Sequence, residues 1–252
     1  MAHNETLADQ KMGAVSPKDR DASIVLVGEF DPMLLVPQWF VNNKLLPSED
    51  IISNLAIEVV YKDLTRFTLP NISVEVQPDR LTLRSGIESL DFMIVDLAVG
   101  VLSLNKKLNV TAVGLNLRED YYFEDSRHWN NIGDILAPKD VWYEISPDSA
   151  KAGLTNLAMQ VRRPVGERGV FNFSVSWLER RGWTRFQTNL HYASTQSVLD
   201  PDGRLLPKGK FKQGFDPLRI VSESWPDSRD FQRRAVDTLL RKAQGEVYDE
   251  RS

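Results

Sequence analysis

The sequence predicts an α+β fold in which antiparallel sheet packs on long amphipathic helices, with the element order β-α-β-β-β-α occurring twice. Two segments support the duplication, Gln38-Trp39-Phe40-Val41-Asn42-Asn43 and His128-Trp129-Asn130-Asn131, because each follows a strand-like run. After each segment come further strand-like runs with period-two alternation and then a helical pattern. The duplication therefore predicts two half-units of similar architecture.

Two half-units of this kind favour a single domain. Each sheet would have one apolar face, and these faces would be buried against helices or against each other. We expect a disordered lead-in at residues 1–21 and a single domain at residues 22–252. The pseudo-repeats within that domain are predicted at residues 22–108 and 109–252.

The first half-unit contains a meander of strands. Ile72, Val74 and Val76 alternate with polar neighbours, which is typical of a sheet with one buried and one wet face. The predicted strands are Ala56–Tyr61, Thr65–Val76 with a break at Pro70, and Arg80–Arg84.

A long helix is predicted from Ile87 to about Leu104. Its apolar residues recur at steps of three and four, and Ser85 with Glu88 has the spacing of a capping box. Because further apolar residues lie off this stripe, we expect burial on more than one side, by the second half-unit or by another subunit.

The second half-unit has longer predicted strands, at Leu154–Arg162, Val170–Trp177 and Trp183–Tyr192. Phe171, Phe173, Val175 and Trp177 are predicted to share one face. A long loop is predicted at residues 194–226, followed by an amphipathic helix from Ser228 to about Gln244.

Charge is distributed unevenly along the chain, although the net charge is only −4. Residues 1–150 hold 13 basic and 23 acidic residues, whereas residues 151–252 hold 18 and 12. Such asymmetry can steer one copy, or a polyanion, towards the basic half, or it can cancel on the folded surface.

The sequence contains no recognisable catalytic or nucleotide-binding motif. It has no cysteine and three histidines, and neither His128 nor His191 lies in a known metal or hydrolase motif. We therefore predict no cofactor, no metal and no enzymatic activity, with an unfamiliar hydrolase using a carboxylate and one of these histidines as a further hypothesis. Without a span of about 20 apolar residues, we expect no membrane insertion and a cytoplasmic location.

Two basic segments are candidates for interaction. Lys208-Gly209-Lys210-Phe211-Lys212-Gln213-Gly214-Phe215 interleaves cations with aromatic residues, a pattern found in surfaces that bind single-stranded nucleic acid. A protein partner or an inert loop explains the same pattern. The predicted interaction residues are Lys208, Lys210, Phe211, Lys212 and Phe215, together with Arg180 and Arg181 in a predicted turn.

The meander Ile72-Ser73-Val74-Glu75-Val76 with Arg80-Leu81-Thr82-Leu83, followed by the helix from Ile87, resembles a group of sporadically distributed bacterial proteins of similar length without an assigned function. The resemblance covers about a third of the chain. It implies an association with mobile or defence gene clusters and assigns no functional residue.

The leading hypothesis is a non-catalytic binding or assembly protein that acts as a homo-oligomer or as a subunit of a larger complex. One alternative is a helix-grip pocket for a small ligand or lipid, lined by Phe171, Phe173, Trp177 and Trp183. The other is an accessory protein that binds single-stranded nucleic acid through the Lys208–Phe215 loop.

Overall fold

The computed structural model describes residues 16–47, 55–145, 152–163, 167–195 and 214–245. It is an α+β structure in which nine strands form one antiparallel sheet with the order β2-β3-β4-β5-β1-β6-β9-β8-β7. The strands are β1 Asp19–Gly28, β2 Ala56–Tyr61, β3 Leu64–Leu69, β4 Ile72–Gln77, β5 Arg80–Ser85, β6 Val110–Tyr122, β7 Asn156–Arg162, β8 Val170–Trp177 and β9 Trp183–Ala193.

The helices lie between groups of these strands, and the last helix follows the last strand. They are α1 Pro37–Asn42, α2 Asp91–Leu104, α3 Ser126–Leu136, α4 Asp140–Ile145 and α5 Pro217–Ala243, and a 3₁₀ turn, Glu88–Leu90, precedes α2. Helix α2 contacts β5 and β1, α5 contacts β6 and β9, and the two helices contact each other. The centre of the sheet is thus covered by helices from both parts of the sequence.

The core lies between the sheet and these helices. The cross-strand register places Val74, Leu83, Ile24, Leu115 and Leu190 side by side, and all five are completely buried. A second cluster around Ile132, Val175 and Phe186 lies under α3 and the end of α5. Because these buried residues point to the same side of the sheet, they confirm the prediction that one face of the sheet is buried.

The two parts of the chain differ in their element order. After α1 the chain forms four strands, because the predicted run Thr65–Val76 is divided at its expected break: Pro70-Asn71 closes a turn between β3 and β4. After α3 it forms helix α4 and only three strands. Strand β1 also begins at Asp19, so residues 19–21 belong to the sheet and not to the predicted lead-in.

Helix α2 begins at Asp91 and not at Ile87. Ser85 Oγ donates to the carbonyl of Ile87, 2.8 Å away, and accepts from its N–H at 3.3 Å, which forms a local turn in place of a capping box. The sheet, α5 and the side chain of Leu45 enclose the helix, and a Cβ built on Gly100 would lie 2.3 Å from Leu45 Cδ2. The chain itself therefore provides the burial on more than one side.

Helix α5 is longer than predicted and begins within the predicted loop. Asp216 caps it by accepting from the Arg219 N–H at 3.2 Å, and Pro217 occupies its first turn, where a proline costs no hydrogen bond. The helix continues through Pro226 because its neighbours Trp225 and Ser228 are buried against the sheet. Burial outweighs the local cost of an interior proline.

Candidate functional site

The face of the sheet opposite the helices is lined by polar side chains; we call it the open face. It follows from strand alternation, because the residues between the buried positions of β1, β6, β9 and β8 point the other way. Its central members are Asp21, Ser23, Asn116, Arg118, Asp120, Asn172, Ser174, Ser176, Arg185, Gln187, Asn189 and His191.

A row of amide side chains crosses the open face, perpendicular to the strands. Gln160 Nε2 donates to Asn172 Oδ1 at 3.2 Å, and Asn172 Nδ2 donates to Asn189 Oδ1 at 3.3 Å. Asn189 donates in turn to Asn116, whose Nδ2 donates to Ser23 Oγ at 3.3 Å. The row links β7, β8, β9, β6 and β1; we call these five residues the amide row.

The amide row retains hydrogen-bonding capacity. A primary amide has two N–H donors and two acceptor lone pairs, and the row uses one donor and one acceptor of Asn172 and of Asn189. Asn172 and Gln160 are exposed, whereas Asn116 and Asn189 are half-buried. A partner lying on the open face can therefore receive and donate hydrogen bonds along the row.

Ion pairs occupy the next positions along β6 and β9. Arg185 Nε and Nη2 donate to the two carboxylate oxygens of Asp120, each at 2.7 Å, and Arg118 bridges Asp120 and Asp19 at 3.0 Å from each. The hydrogen bond to Asp120 is the main cause that raises the pKa of Arg185. These guanidinium groups are therefore already neutralised within the sheet.

The same pairing occurs towards β2. Arg66 Nε donates to Glu75 Oε2 at 2.8 Å, and Arg84 Nη1 donates to Asp21 Oδ2 at 3.2 Å. The hydrogen bond with Glu75 is the first cause of the raised pKa of Arg66. Cations and carboxylates thus compensate each other across the open face.

Aromatic and basic residues meet at one end of the open face. Trp183 at the start of β9 and Tyr122 at the end of β6 are cross-strand partners with ring centroids 5.6 Å apart. Arg180 and Arg181 are exposed in the turn that leads into Trp183, and among the described residues neither forms an ion pair. We call these four residues the aromatic corner.

The turn that carries the two arginines depends on Gly182. Its φ of +82° is one that side-chain-bearing residues rarely adopt, and a Cβ there would lie 2.7 Å from the carbonyl oxygen of Phe123. The Gly182 carbonyl also accepts from the Phe123 N–H at 2.8 Å. A close backbone contact between the end of β6 and the start of β9 therefore fixes the position of the aromatic corner.

The structure locates only some of the predicted interaction residues. Lys208, Lys210, Phe211 and Lys212 lie outside the described residues, so the loop stays a prediction. Phe215 is half-buried and packs against the larger core cluster, and Arg180 and Arg181 belong to the aromatic corner.

The four aromatic residues predicted to line a pocket do not lie on one side of the sheet. Trp177 pairs with Thr184, so Trp183 points to the open face while Phe171, Phe173 and Trp177 point to the helices. Phe231 of α5 stacks on Phe171 at 4.2 Å between ring centroids and meets Phe173 edge-on at 6.2 Å. These rings pack against one another as core.

The two histidines are also separated. His191 lies on the open face opposite Gly114, whereas His128 belongs to α3 in the helix layer. Within the described ranges, no three His, Asp or Glu side chains converge as metal ligands would. None of the helices described there is long and apolar enough to cross a membrane.

Sequence reasoning missed the amide row. A signal was available, because Asn172, Ser174 and Ser176 alternate with apolar residues, and Asn189 and His191 lie on either side of Leu190. Which residues of the two series become neighbours, and whether Asn116 continues the row, depends on the register of three strands.

Comparison with known proteins adds no family. The chain matches none of the protein-family models and none of the curated proteins with which it was compared.

Proposed function

We propose that this chain is a non-catalytic binding protein that docks another protein on the open face, and that the occupant is a second copy of the chain. The observation that carries the proposal is the amide row, a continuous line of groups that both donate and accept. Such a surface is complementary to itself, as a two-fold symmetric interface requires.

The size of the open face supports a protein partner. Eight spacings of about 4.8 Å make the sheet roughly 38 Å wide, and strands of six residues extend about 20 Å. The resulting area of about 760 Å² is close to the roughly 800 Å² that each partner contributes to a standard interface. Trp183, Tyr122, Arg180 and Arg181 add the residue types that dominate binding energy.

The charges favour a protein over a nucleic acid. Binding of a nucleic-acid backbone depends on cations that neutralise phosphates. On the open face Arg66, Arg84, Arg118 and Arg185 are already paired with carboxylates. Binding of single-stranded nucleic acid is therefore the alternative function that the experiment must exclude.

The remaining expectations belong to the same proposal. We propose a cytoplasmic protein without cofactor or catalytic activity, and duplicated half-units that lie on either side of the β1–β6 pair. The implied association with defence or mobile gene clusters is part of the proposal, and it rests only on the sequence resemblance. Burial of α2 no longer argues for a second subunit, because α5 and Leu45 cover it.

Sedimentation velocity over a range of protein concentrations tests the proposal. We expect a monomer–dimer equilibrium that Asn172→Arg and Trp183→Ala each shift at least about tenfold towards monomer. Asp96→Arg is the matched control, since Asp96 is exposed on α2, in the helix layer. The dimer proposal is overturned if the protein is a monomer at all concentrations. It is also overturned if Asp96→Arg shifts the equilibrium as much as the two open-face variants do.

A second measurement separates the nucleic-acid alternative. Fluorescence anisotropy with single-stranded DNA and RNA oligonucleotides at low salt should show no binding. Salt-dependent binding that Arg180→Gln and Arg181→Gln abolish would identify the aromatic corner as a nucleic-acid site and contradict the proposal.

A further inference from the structure

The nine-stranded sheet is open, and β2 and β7 form its two edges. Strand β2 has a bulge between Ile57 and Val59, and Glu58 at this bulge forms an ion pair with Arg66 at 3.7 Å. Bulges and charged side chains are features that prevent an edge strand from pairing with another chain. The edge at β2 is therefore protected.

The edge at β7 lacks these features. Strand β7 pairs with β8 over all 7 of its residues without a shift in register. It contains no proline, and its only charged residue is Arg162 at the end. No strand lies on its outer side in the part of the chain that the structure describes. A further strand could therefore pair with the outer backbone groups of β7.

The hydrogen bonds between β7 and β8 determine which backbone groups are directed outward. The Trp177 N–H donates to the Thr155 carbonyl at 3.0 Å, so these two residues form a hydrogen-bonded pair. Hydrogen-bonded and non-hydrogen-bonded pairs alternate in an antiparallel sheet. The residues whose N–H and carbonyl groups point away from β8 are therefore Asn156, Ala158, Gln160 and Arg162.

The side chains of the intervening residues form an apolar stripe along this edge. Leu157, Met159 and Val161 lie opposite apolar residues of β8, on the helix side of the sheet. Met159 is 53% exposed and Val161 is 40% exposed, so the helices leave this stripe partly uncovered. A strand added at the edge would bury apolar surface as well as form backbone hydrogen bonds.

We infer that β7 pairs antiparallel with β7 of a second copy of this chain, about a two-fold axis that passes beside Met159. In this register every residue of β7 has a partner. On the helix side Met159 faces Met159 of the second copy, and Leu157 faces Val161. On the other side Ala158 faces Gln160, and the outward backbone groups of these two residues form hydrogen bonds. The strand is thus complementary to itself, as a two-fold contact requires.

The charge on β7 is compatible with this register. Arg162 faces the neutral Asn156 of the second copy, and the two Arg162 residues are six positions apart along the strands, or about 20 Å. Like charges therefore do not meet in the contact, and apolar residues face only apolar residues on the helix side. A strand from another protein would need the same pattern, which a second copy of β7 already has.

This contact goes beyond the proposed function, because it uses the edge of the sheet and not the open face. It joins the two sheets into one continuous sheet with the helices of both copies on the same side. A contact that is one strand wide buries less surface than the whole open face, and the edge contact is therefore the weaker of the two. We expect it to join dimers at higher protein concentrations.

Disulfide cross-linking at high protein concentration tests the contact, because the chain contains no native cysteine. Facing residues of a non-hydrogen-bonded pair have Cα atoms about 4.5 Å apart, which is within the range that a disulfide spans. Under mild oxidation, Met159→Cys should therefore form a disulfide-linked dimer. Val161→Cys should not, because the two copies of residue 161 are four positions apart along the strands, or about 14 Å.

Three further variants connect the cross-link to the edge of β7. Ile57→Cys is the matched control on the protected edge, since Ile57 is 59% exposed, and it should form no linked dimer. Adding Ala158→Pro to Met159→Cys should slow the cross-linking at least about tenfold, because it removes an N–H donor that points away from β8. Ala158→Ser keeps this donor and should leave the rate unchanged. Thermal unfolding checks that each variant is folded, and the cysteine variants test the inference alone if Ala158→Pro does not fold.

The inference is overturned if Met159→Cys forms no linked dimer, or if Val161→Cys or Ile57→Cys forms one at the same rate. An unchanged rate in folded Ala158→Pro would also overturn it. Trp183→Ala distinguishes this contact from the proposed dimer, because Trp183 lies on the open face. Met159→Cys should still cross-link when Trp183→Ala is added, and loss of the cross-link in that variant would attribute it to the open-face dimer and overturn the edge contact.

Discussion

Arg20 on β1 and Asp91 in the first turn of α2 form a two-bond ion pair at the boundary between sheet and helix. Arg20 Nη1 donates to Asp91 Oδ1 at 2.9 Å, and Nη2 donates to Oδ2. The side chains are only 12% and 2% exposed. The pair joins the central strand of the sheet to the start of the helix.

Asp91→Asn should destabilise the protein by about 3 to 5 kcal/mol, because it leaves the Arg20 guanidinium buried without its counter-charge. The free energy of unfolding in urea measures this loss. Asp96→Asn on the exposed side of the same helix is the control and should change it by less than about 0.5 kcal/mol. A similar small effect for both variants would show that the ion pair contributes little.

Gly28→Ala should cost about 1 to 3 kcal/mol through overpacking. A Cβ on Gly28 would lie 2.4 Å from the backbone oxygen of Asn109, and backbone at a β-bulge does not move as a side chain does. Gly86→Ala is the control, since a Cβ added to Gly86 would meet none of the described atoms within 4 Å. Chemical unfolding of both variants compares them, and equal stability would contradict the close approach of β1 and β6.

Phe231→Ala should destabilise the protein by about 3 kcal/mol, because the ring fills the space between Phe171 and Phe173. Phe92→Ala, which removes a ring that is 60% exposed, should change the stability by less than about 0.5 kcal/mol. Thermal and urea unfolding are the measurements. An unchanged stability of Phe231→Ala would favour a pocket over packed core at this position.

Stability should fall as the pH rises above about 10, in part because of Tyr121. Burial first, and then the nearby carboxylate of Glu119, raise the pKa of Tyr121 well above its usual value. Between the two pKa values the unfolded chain releases the phenol proton and the folded chain keeps it, so deprotonation stabilises the unfolded state. Urea midpoints measured from pH 8 to 11 should decline less steeply in Tyr121→Phe.

Tyr61→Phe is the control for this pH dependence, since Tyr61 is 59% exposed. Its midpoints should follow those of the parent protein. Identical slopes for Tyr121→Phe and the parent would show that Tyr121 ionises normally in the folded state.

Local patterns along the chain were enough to predict the class of the fold, because period-two and period-3.6 spacings of apolar residues do not depend on distant parts of the chain. The alternation of Ile72, Val74 and Val76 fixed the buried face of β4, and the apolar spacing after Asp91 specified α2. Patterns of this kind could not show that α5 begins at Pro217, because a proline such as Pro226 locally predicts the boundary of a helix. Burial of Trp225 and Ser228 overrides that signal.

Contacts between residues that are distant in the sequence could not be predicted from these local patterns. The amide row joins Asn116, Asn189, Asn172 and Gln160 through the register of three strand pairs, and a shift of one residue would reverse every side chain. Glu119, Gln232 and Arg20 likewise come from β6, α5 and β1 and line one cavity. These arrangements depend on long-range pairing, and a linear sequence does not record which strands become neighbours.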